Sequence, residues 1–313
     1  MNITVIGCGR WGSLITWYLD HIGHRVTLYG RAASPRMQAF LTTRQNDLLT
    51  LPESVALSTA LDAALESAET VIISIGSQSL RSLLGQSELQ ALRSRTVVLC
   101  MKGLEMGTGA RLSQIAAELL HPSNTVAVWL GPGHVQEFYR GIPNCMVIDS
   151  ENEDVKRRLV QAFSSDLIRF YYGGDMIGNE VGAAAKNVVG IAAGFLDGFE
   201  MSSLKGALMS RGTREVARLI KAMGGSELSA YGLCHLGDYE ATVFSPYSHN
   251  RQFGESFVRG QDYHQLAEGY YTVKALMLLG QRYGVELPIC KAVHDILYEQ
   301  AVPRDVLAGL LRR

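Results

Sequence analysis

Ile3-Thr4-Val5-Ile6-Gly7-Cys8-Gly9-Arg10-Trp11-Gly12 is the stretch that decides the fold. Four β-branched residues predict a short strand, and the glycines lead directly into a helical pattern from Ser13 to Ile22. In that setting G-x-G-x-x-G has a physical meaning. Gly7 makes a tight turn, Gly9 lets the backbone approach a pyrophosphate, Gly12 lets helix and strand close up, and the helix N-terminus faces the anion.

The next strand, Arg25-Val26-Thr27-Leu28-Tyr29, ends in Gly30-Arg31. A fold selecting NAD places an acidic residue there for the ribose 2′-hydroxyl. A cation suits a 2′-phosphate instead, so NADP(H) is favoured and NAD(H) remains open; an arginine stacked on adenine would accept either. Nearly continuous apolar runs follow at Thr70–Ser74, Thr96–Met101, Thr125–Leu130 and Cys145–Ile148, separated in places by helical patterns such as Leu80–Leu84 and Ala110–Leu120. Strands covered on both faces read this way, and the alternation predicts a doubly wound α/β sheet. Asp166–Tyr172 is a last strand, closed by Gly173-Gly174, and the pattern is helical from Asp175 almost to the end. The expected organisation is a Rossmann-type dinucleotide-binding domain over 1–172 and an all-α substrate-binding and catalytic domain over 173–313. Its helices are expected at Ala207–Met223, Ala267–Tyr283 and Ala292–Gln300, with Pro288 and Pro303 as breakers.

Bulk composition narrows the function. The 313 residues are 47% hydrophobic and 19% charged with formal net charge -1, which gives no support to nucleic-acid or membrane-surface binding. Five scattered cysteines without a C-x-x-C pair, and eight histidines without ligand spacing, predict a reduced cytoplasmic protein with no metal. The first residues enter a strand at once, leaving no room for a leader, and no apolar run is long enough for an integral membrane segment.

Gly178-Asn179-Glu180-Val181-Gly182-Ala183-Ala184-Ala185-Lys186-Asn187-Val188-Val189-Gly190-Ile191-Ala192-Ala193-Gly194 opens the second region. Glycine recurs every fourth residue except where Lys186 takes the place. Each helical glycine costs about 0.8–1 kcal/mol against alanine, so the row implies close approach by another backbone or a flat ligand. A lysine in such surroundings either snorkels out of a packed interface or points into a cleft with a lowered pKa. Lys102 follows an apolar strand on the ligand-binding edge of the sheet. Gly237–Thr242 and Ser245–Gly254 form a polar, turn-rich patch in which Asp238 can orient Lys186, and Ser248, His249, Asn250 and Arg251 can receive an anion. The plainer reading is a helix cap and a solvated turn.

Assembled, these motifs resemble the bacterial NAD(P)-dependent glycerol-3-phosphate dehydrogenases over essentially the whole chain. G-x-G-x-W-G is Gly7–Gly12, K-G-[IL]-E is Lys102–Glu105, G-P-[ST]-x-A-x-E is Gly131–Glu137, and the central K-N is Lys186-Asn187. R-G-x-x-E is Arg211–Glu215, L-G-D-x-x-x-T is Leu236–Thr242, and a late E-G is Glu268-Gly269. The resemblance implies reversible hydride transfer between NAD(P)H and dihydroxyacetone phosphate, supplying glycerol 3-phosphate for phospholipid synthesis, by a homodimer. It implies Lys186, Lys102, Asp238 and Thr242 as catalytic residues. The cofactor would lie on Gly7, Gly9, Arg10, Trp11, Gly12, Arg31, Lys102, Val135 and Glu268. The phosphorylated substrate would lie on Lys102, Gly131, Gly133, Lys186, Asn187, Asp238, Ser248, His249 and Asn250. The chain departs from the pattern at His249, where an arginine is expected, at Gly133 and Val135, at Ser203, and at Cys234-His235 in place of Ala-Gly. The alternatives are a related dehydrogenase of another small hydroxy or keto compound, and a non-catalytic dinucleotide-binding protein.

Overall fold

The β-branched opening run pairs at the centre of a sheet as β1 (Asn2–Ile6), flanked by β2 (Arg25–Tyr29) and β4 (Thr70–Ile73). With β3 (Ala56–Ser58), β5 (Thr96–Leu99), β6 (Thr125–Leu130), β7 (Asn144–Asp149) and β8 (Ile168–Tyr172), the order is β3-β2-β1-β4-β5-β6-β7-β8. The pairs β1–β2, β1–β4, β2–β3, β4–β5, β5–β6 and β7–β8 are parallel. The order reverses at β1, which puts the glycine turn at the switch point where doubly wound sheets bind ligands. This computed structural model describes residues 1–311. It divides into one unit of Met1–Met101, Ser113–Trp129 and Gly133–Gly174, and a second of Lys102–Leu112, Leu130–Pro132 and the chain from Asp175 on.

β4 and β5 are buried at every residue, as their continuous apolar runs require. The first unit closes over large rings. Trp129 packs edge-on against Phe170 at 4.8 Å and against Tyr18 at 6.1 Å, and the Tyr18 hydroxyl donates to the Phe163 carbonyl. β3 escapes sequence reading because three residues at a sheet edge carry no pattern.

In the second unit a 23-residue helix, Met176–Gly198, is buried on nearly all sides. Asp175 caps its start, accepting from Gly178 N at 3.0 Å. Within the glycine row, Gly194 answers to backbone proximity, whereas Gly178, Gly182 and Gly190 make room for the side chains of Ser229, His235 and Thr242. A Cβ on Gly194 would sit 2.1 Å from the Arg251 carbonyl oxygen, and one on Gly254 would sit 2.2 Å from that of Ile191. A Cβ on Gly269 would sit 2.6 Å from the Asn187 carbonyl oxygen. The helices His249–Val258 and Glu268–Tyr283 can therefore press against the central one without intervening side chains.

Two sequence expectations change here. Pro288 and Pro303 begin helices, Pro288–Tyr298 and Pro303–Leu311, because a proline at the first helical position has no amide to leave unsatisfied. The next two amides, of Ile289 and Cys290, donate to the buried Glu215 carboxylate at 2.8 and 3.0 Å, which supplies the missing cap. Most of the supposed turn at 245–254 is helix. Ser248 caps it by accepting from Arg251 N at 3.3 Å.

Candidate active site

The glycine turn is built as its spacing predicts. Gly7 has φ +116°, and a Cβ there would lie 2.1 Å from the Ser74 carbonyl oxygen. A Cβ on Gly12 would lie 1.9 Å from that of Gly7. The space over Gly9 is different in kind, since the nearest atom to a Cβ there is Arg36 Nη1 at 3.6 Å. Gly9 caps the helix Arg10–His21 without a side-chain bond, and no acidic residue stands in its first turn. Open space at a helix N-terminus is what a dinucleotide pyrophosphate requires, so these residues fit the cofactor. Trp11 Nε1 is buried with no hydrogen-bond partner, another polar group turned inward near the turn. Arg10 is half-buried, Arg31 is exposed and Val135 is buried.

Arg36 was not anticipated from the sequence. It is exposed and lies five residues beyond Arg31, in a helix that starts Ser34-Pro35. A second cation after the strand-end arginine was the available signal. Arg36→Ala is expected to weaken NADPH by roughly ten- to a hundredfold, the worth of charge-assisted hydrogen bonds, and NADH by much less. Dissociation constants for both nucleotides measure it, and an unchanged NADPH/NADH ratio removes Arg36 from the 2′-phosphate.

The chemistry-bearing side chains converge in the second unit. Asp238, 1% exposed, places one carboxylate oxygen between two ammonium groups. Its Oδ2 lies 2.7 Å from Lys102 Nζ and 3.0 Å from Lys186 Nζ. Lys102 also donates to the Gly131 carbonyl at 2.6 Å, and Lys186 to Thr242 Oγ1 at 2.7 Å. Asp238 is therefore the shared counter-ion of both lysines, and the helix-cap reading falls away. Its second oxygen, Oδ1, is buried without a hydrogen-bond partner. Buried polar atoms are rarely left so. Burial pulls the Lys186 pKa down to about 8; the Lys102 charge adds to the fall and the Asp238 charge opposes it.

An amide chain fixes this cluster. Asn187 Nδ2 donates to the Lys102 carbonyl at 2.8 Å, Asn250 Nδ2 donates to Asn187 Oδ1 at 3.0 Å, and Gly269 N donates to Asn250 Oδ1 at 2.9 Å. Asn187 and Asn250 thus hold the framework around the lysines. Glu268 stands beside this chain, in the first turn of the helix Glu268–Tyr283. Arg251 is engaged internally, with Nη1 on Asp197 at 2.8 Å and on Glu255 at 2.9 Å. His249 Nδ1 lies 2.6 Å from the Tyr263 hydroxyl. That hydroxyl gives its proton to Gln252 Oε1 at 3.1 Å, so Nδ1 is the donor in the His249–Tyr263 pair. At Gly133, φ is +144° and a Cβ would meet the Phe138 ring at 2.2 Å. Phe138 thus occupies the space a hydroxyl residue would take there.

Fold and site together define a dinucleotide-binding oxidoreductase with a lysine–aspartate centre. The chain matches the family model for the N-terminus of NAD-dependent glycerol-3-phosphate dehydrogenase over residues 2–156 and that for its C-terminus over residues 175–308. It belongs to that family. A glycerol-3-phosphate dehydrogenase [NAD(P)+] of Nitrosomonas europaea is 35% identical over 325 residues, covering 100% of this chain and 98% of the relative. One of Prosthecochloris aestuarii is 32% identical over 327 residues, covering 100% and 98%. The crystal structure of glycerol-3-phosphate dehydrogenase from Coxiella burnetii superposes with a TM-score of 0.92 at 27% identity, covering 100% of this chain and 99% of that one.

Proposed function

We propose that this protein is an NAD(P)-dependent sn-glycerol-3-phosphate dehydrogenase, interconverting dihydroxyacetone phosphate and glycerol 3-phosphate. The observation that carries it is the sharing of Asp238 Oδ2 by Lys102 and Lys186. When bound, the reduced nicotinamide supplies the hydride. The side chains then manage charge and protons. Hydride arrival at the C2 carbonyl carbon leaves an alkoxide, and the Lys186 ammonium both stabilises it and gives it a proton. In the reverse direction the neutral Lys186 amine takes the hydroxyl proton. Lys102 polarises the carbonyl, Asp238 keeps the two like charges together, and Thr242 holds the Lys186 Nζ. His249, with Ser248 and Asn250 beside it, receives the phosphate. Residues 1–172 hold the cofactor, with NADP(H) favoured through Arg31 and Arg36, and residues 173–313 hold the substrate together with Lys102.

Oxidation of NADPH and of NADH on addition of dihydroxyacetone phosphate tests the reading directly. No turnover of this ketone, with turnover of a non-phosphorylated analogue, overturns it. The family resemblance supports a homodimer and a cytoplasmic place in phospholipid supply. No helix among the described residues is long and apolar enough to cross a membrane.

The pH dependence has a definite sign. Ketone reduction needs the Lys186 ammonium, so its rate falls as pH rises through about 8, while glycerol 3-phosphate oxidation needs the amine and rises through the same point. Asp238→Asn removes the charge that holds the ammonium protonated, so both limbs move to lower pH. Initial rates in each direction over pH 6 to 10 (roughly two units either side of the midpoint) read this. Limbs unmoved by Asp238→Asn disconnect the two residues.

A further inference from the structure

Behind the lysine cluster lies a buried ring that the mechanism does not use. His235 is 0% exposed, with Nδ1 2.8 Å from the Gly182 carbonyl and Nε2 2.7 Å from the Tyr239 hydroxyl. A carbonyl only accepts, so Nδ1 carries the hydrogen and Nε2 takes the tyrosine's. Gly182 stands one helical turn before Lys186, and its carbonyl is also the one that the Lys186 amide bonds along the helix. The His235 carbonyl, for its part, accepts from Asp238 N at 3.0 Å. One residue therefore ties the turn that carries the amine to the turn that carries its counter-ion. Gly182 permits this, because a Cβ there would come 3.0 Å from that of His235.

We infer that His235 is a positioning residue, setting the register of the Lys186 amine against the Asp238 carboxylate. Burial, with the Lys186 charge adding to it, pulls the imidazole pKa down to about 4 against the opposing Gly182 bond and Asp238 charge. The ring thus stays neutral at working pH and adds no third cation beside the two lysines. Tyr239, which meets Thr213 Oγ1 at 3.5 Å on its other side, keeps Nε2 satisfied. The signal in the sequence was a histidine where the resembling family has glycine.

The consequence for turnover rests on the dehydrogenase reading, whereas the consequence for the amine's own titration does not. Two substitutions separate donor from volume. His235→Leu fills the space without a donor, and His235→Asn returns one, since an asparagine Nδ2 stands where the ring Nδ1 does. The Lys186 Nζ titration is followed by NMR of protein labelled with 15N-lysine, its signal identified by loss in Lys186→Arg. The expected result for His235→Leu is a midpoint lower by about one unit or more as the Asp238 contact loosens. kcat should fall ~10²-fold, the effect of a displacement of about 1 Å, with nucleotide affinity within a few fold. His235→Asn should return both toward wild type. If His235→Leu does not fold, Tyr239→Phe carries the comparison through the released Nε2, with a smaller fall in the same direction. A midpoint that stays or rises in the folded variant, or His235→Asn behaving as His235→Leu, overturns the inference. Wild-type protein that fails to turn over dihydroxyacetone phosphate sinks the dehydrogenase reading alone, and the titration still decides the role of His235.

Discussion

Lys186→Ala is expected to lower kcat by ~10²–10⁴-fold or more, the range general acid–base groups contribute, while NADPH affinity changes only a few fold. The site supports so large an effect because no other side chain placed there among the described residues can replace the group. Lys102 keeps its bonds to Asp238 and the Gly131 carbonyl, at 2.7 and 2.6 Å. Thr242 without its lysine is a neutral hydroxyl, far too weak an acid to take over near neutral pH. The fold should survive, since Asp238 retains one cation and is not left as an isolated buried charge. Single-turnover kinetics and nucleotide titration of the variant measure both halves. Turnover near the wild-type level would remove Lys186 from proton transfer and leave it a structural counter-ion.

Gly194→Ala should destabilise the protein by about 1–3 kcal/mol or more, although helix propensity alone predicts a gain of about 1 kcal/mol. The two arguments have opposite signs, and the structure decides between them. The new methyl group would lie 2.1 Å from the Arg251 carbonyl oxygen and 2.7 Å from Glu255 N. Both are backbone atoms of the opposing helix and cannot turn aside as a side chain would. Relief requires the helix His249–Val258 to move away, taking His249 and Asn250 with it. Urea unfolding midpoints therefore fall, and KM for dihydroxyacetone phosphate rises with them. A Gly194→Ala protein as stable as wild type would show that the helix spacing is looser than the contacts imply.

What was legible beforehand follows from the range of the interactions involved. The strand–glycine–helix opening is local, and its reading depends only on neighbours in the chain. The prolines misled because the property that stops a helix from its interior also suits its first position. The run from Ser248 to Arg251 looked like a turn because polar residues gather at helix starts as readily as in loops. Arg36 escapes sequence reading because its approach to Gly9 follows from the parallel pairing of β1 with β2, which brings the segment after β2 beside the glycine turn. Asp238 was singled out with Lys186, yet Lys102 and Asp238 are 136 residues apart, a separation at which spacing carries no geometry.

By itself, then, the sequence determined the class of fold and the dinucleotide turn, and it marked Lys186 as a charge inside an apolar helix, because strand alternation, glycine conformations and helical charge are each recorded residue by residue. Only the tertiary structure decided that a single carboxylate oxygen serves both lysines, that Asn187 and Asn250 are struts, and that His235 stands behind the amine. Each of those is a relation among segments remote in the chain, and burial, which moves the Lys186 pKa, exists only once those segments have closed around it.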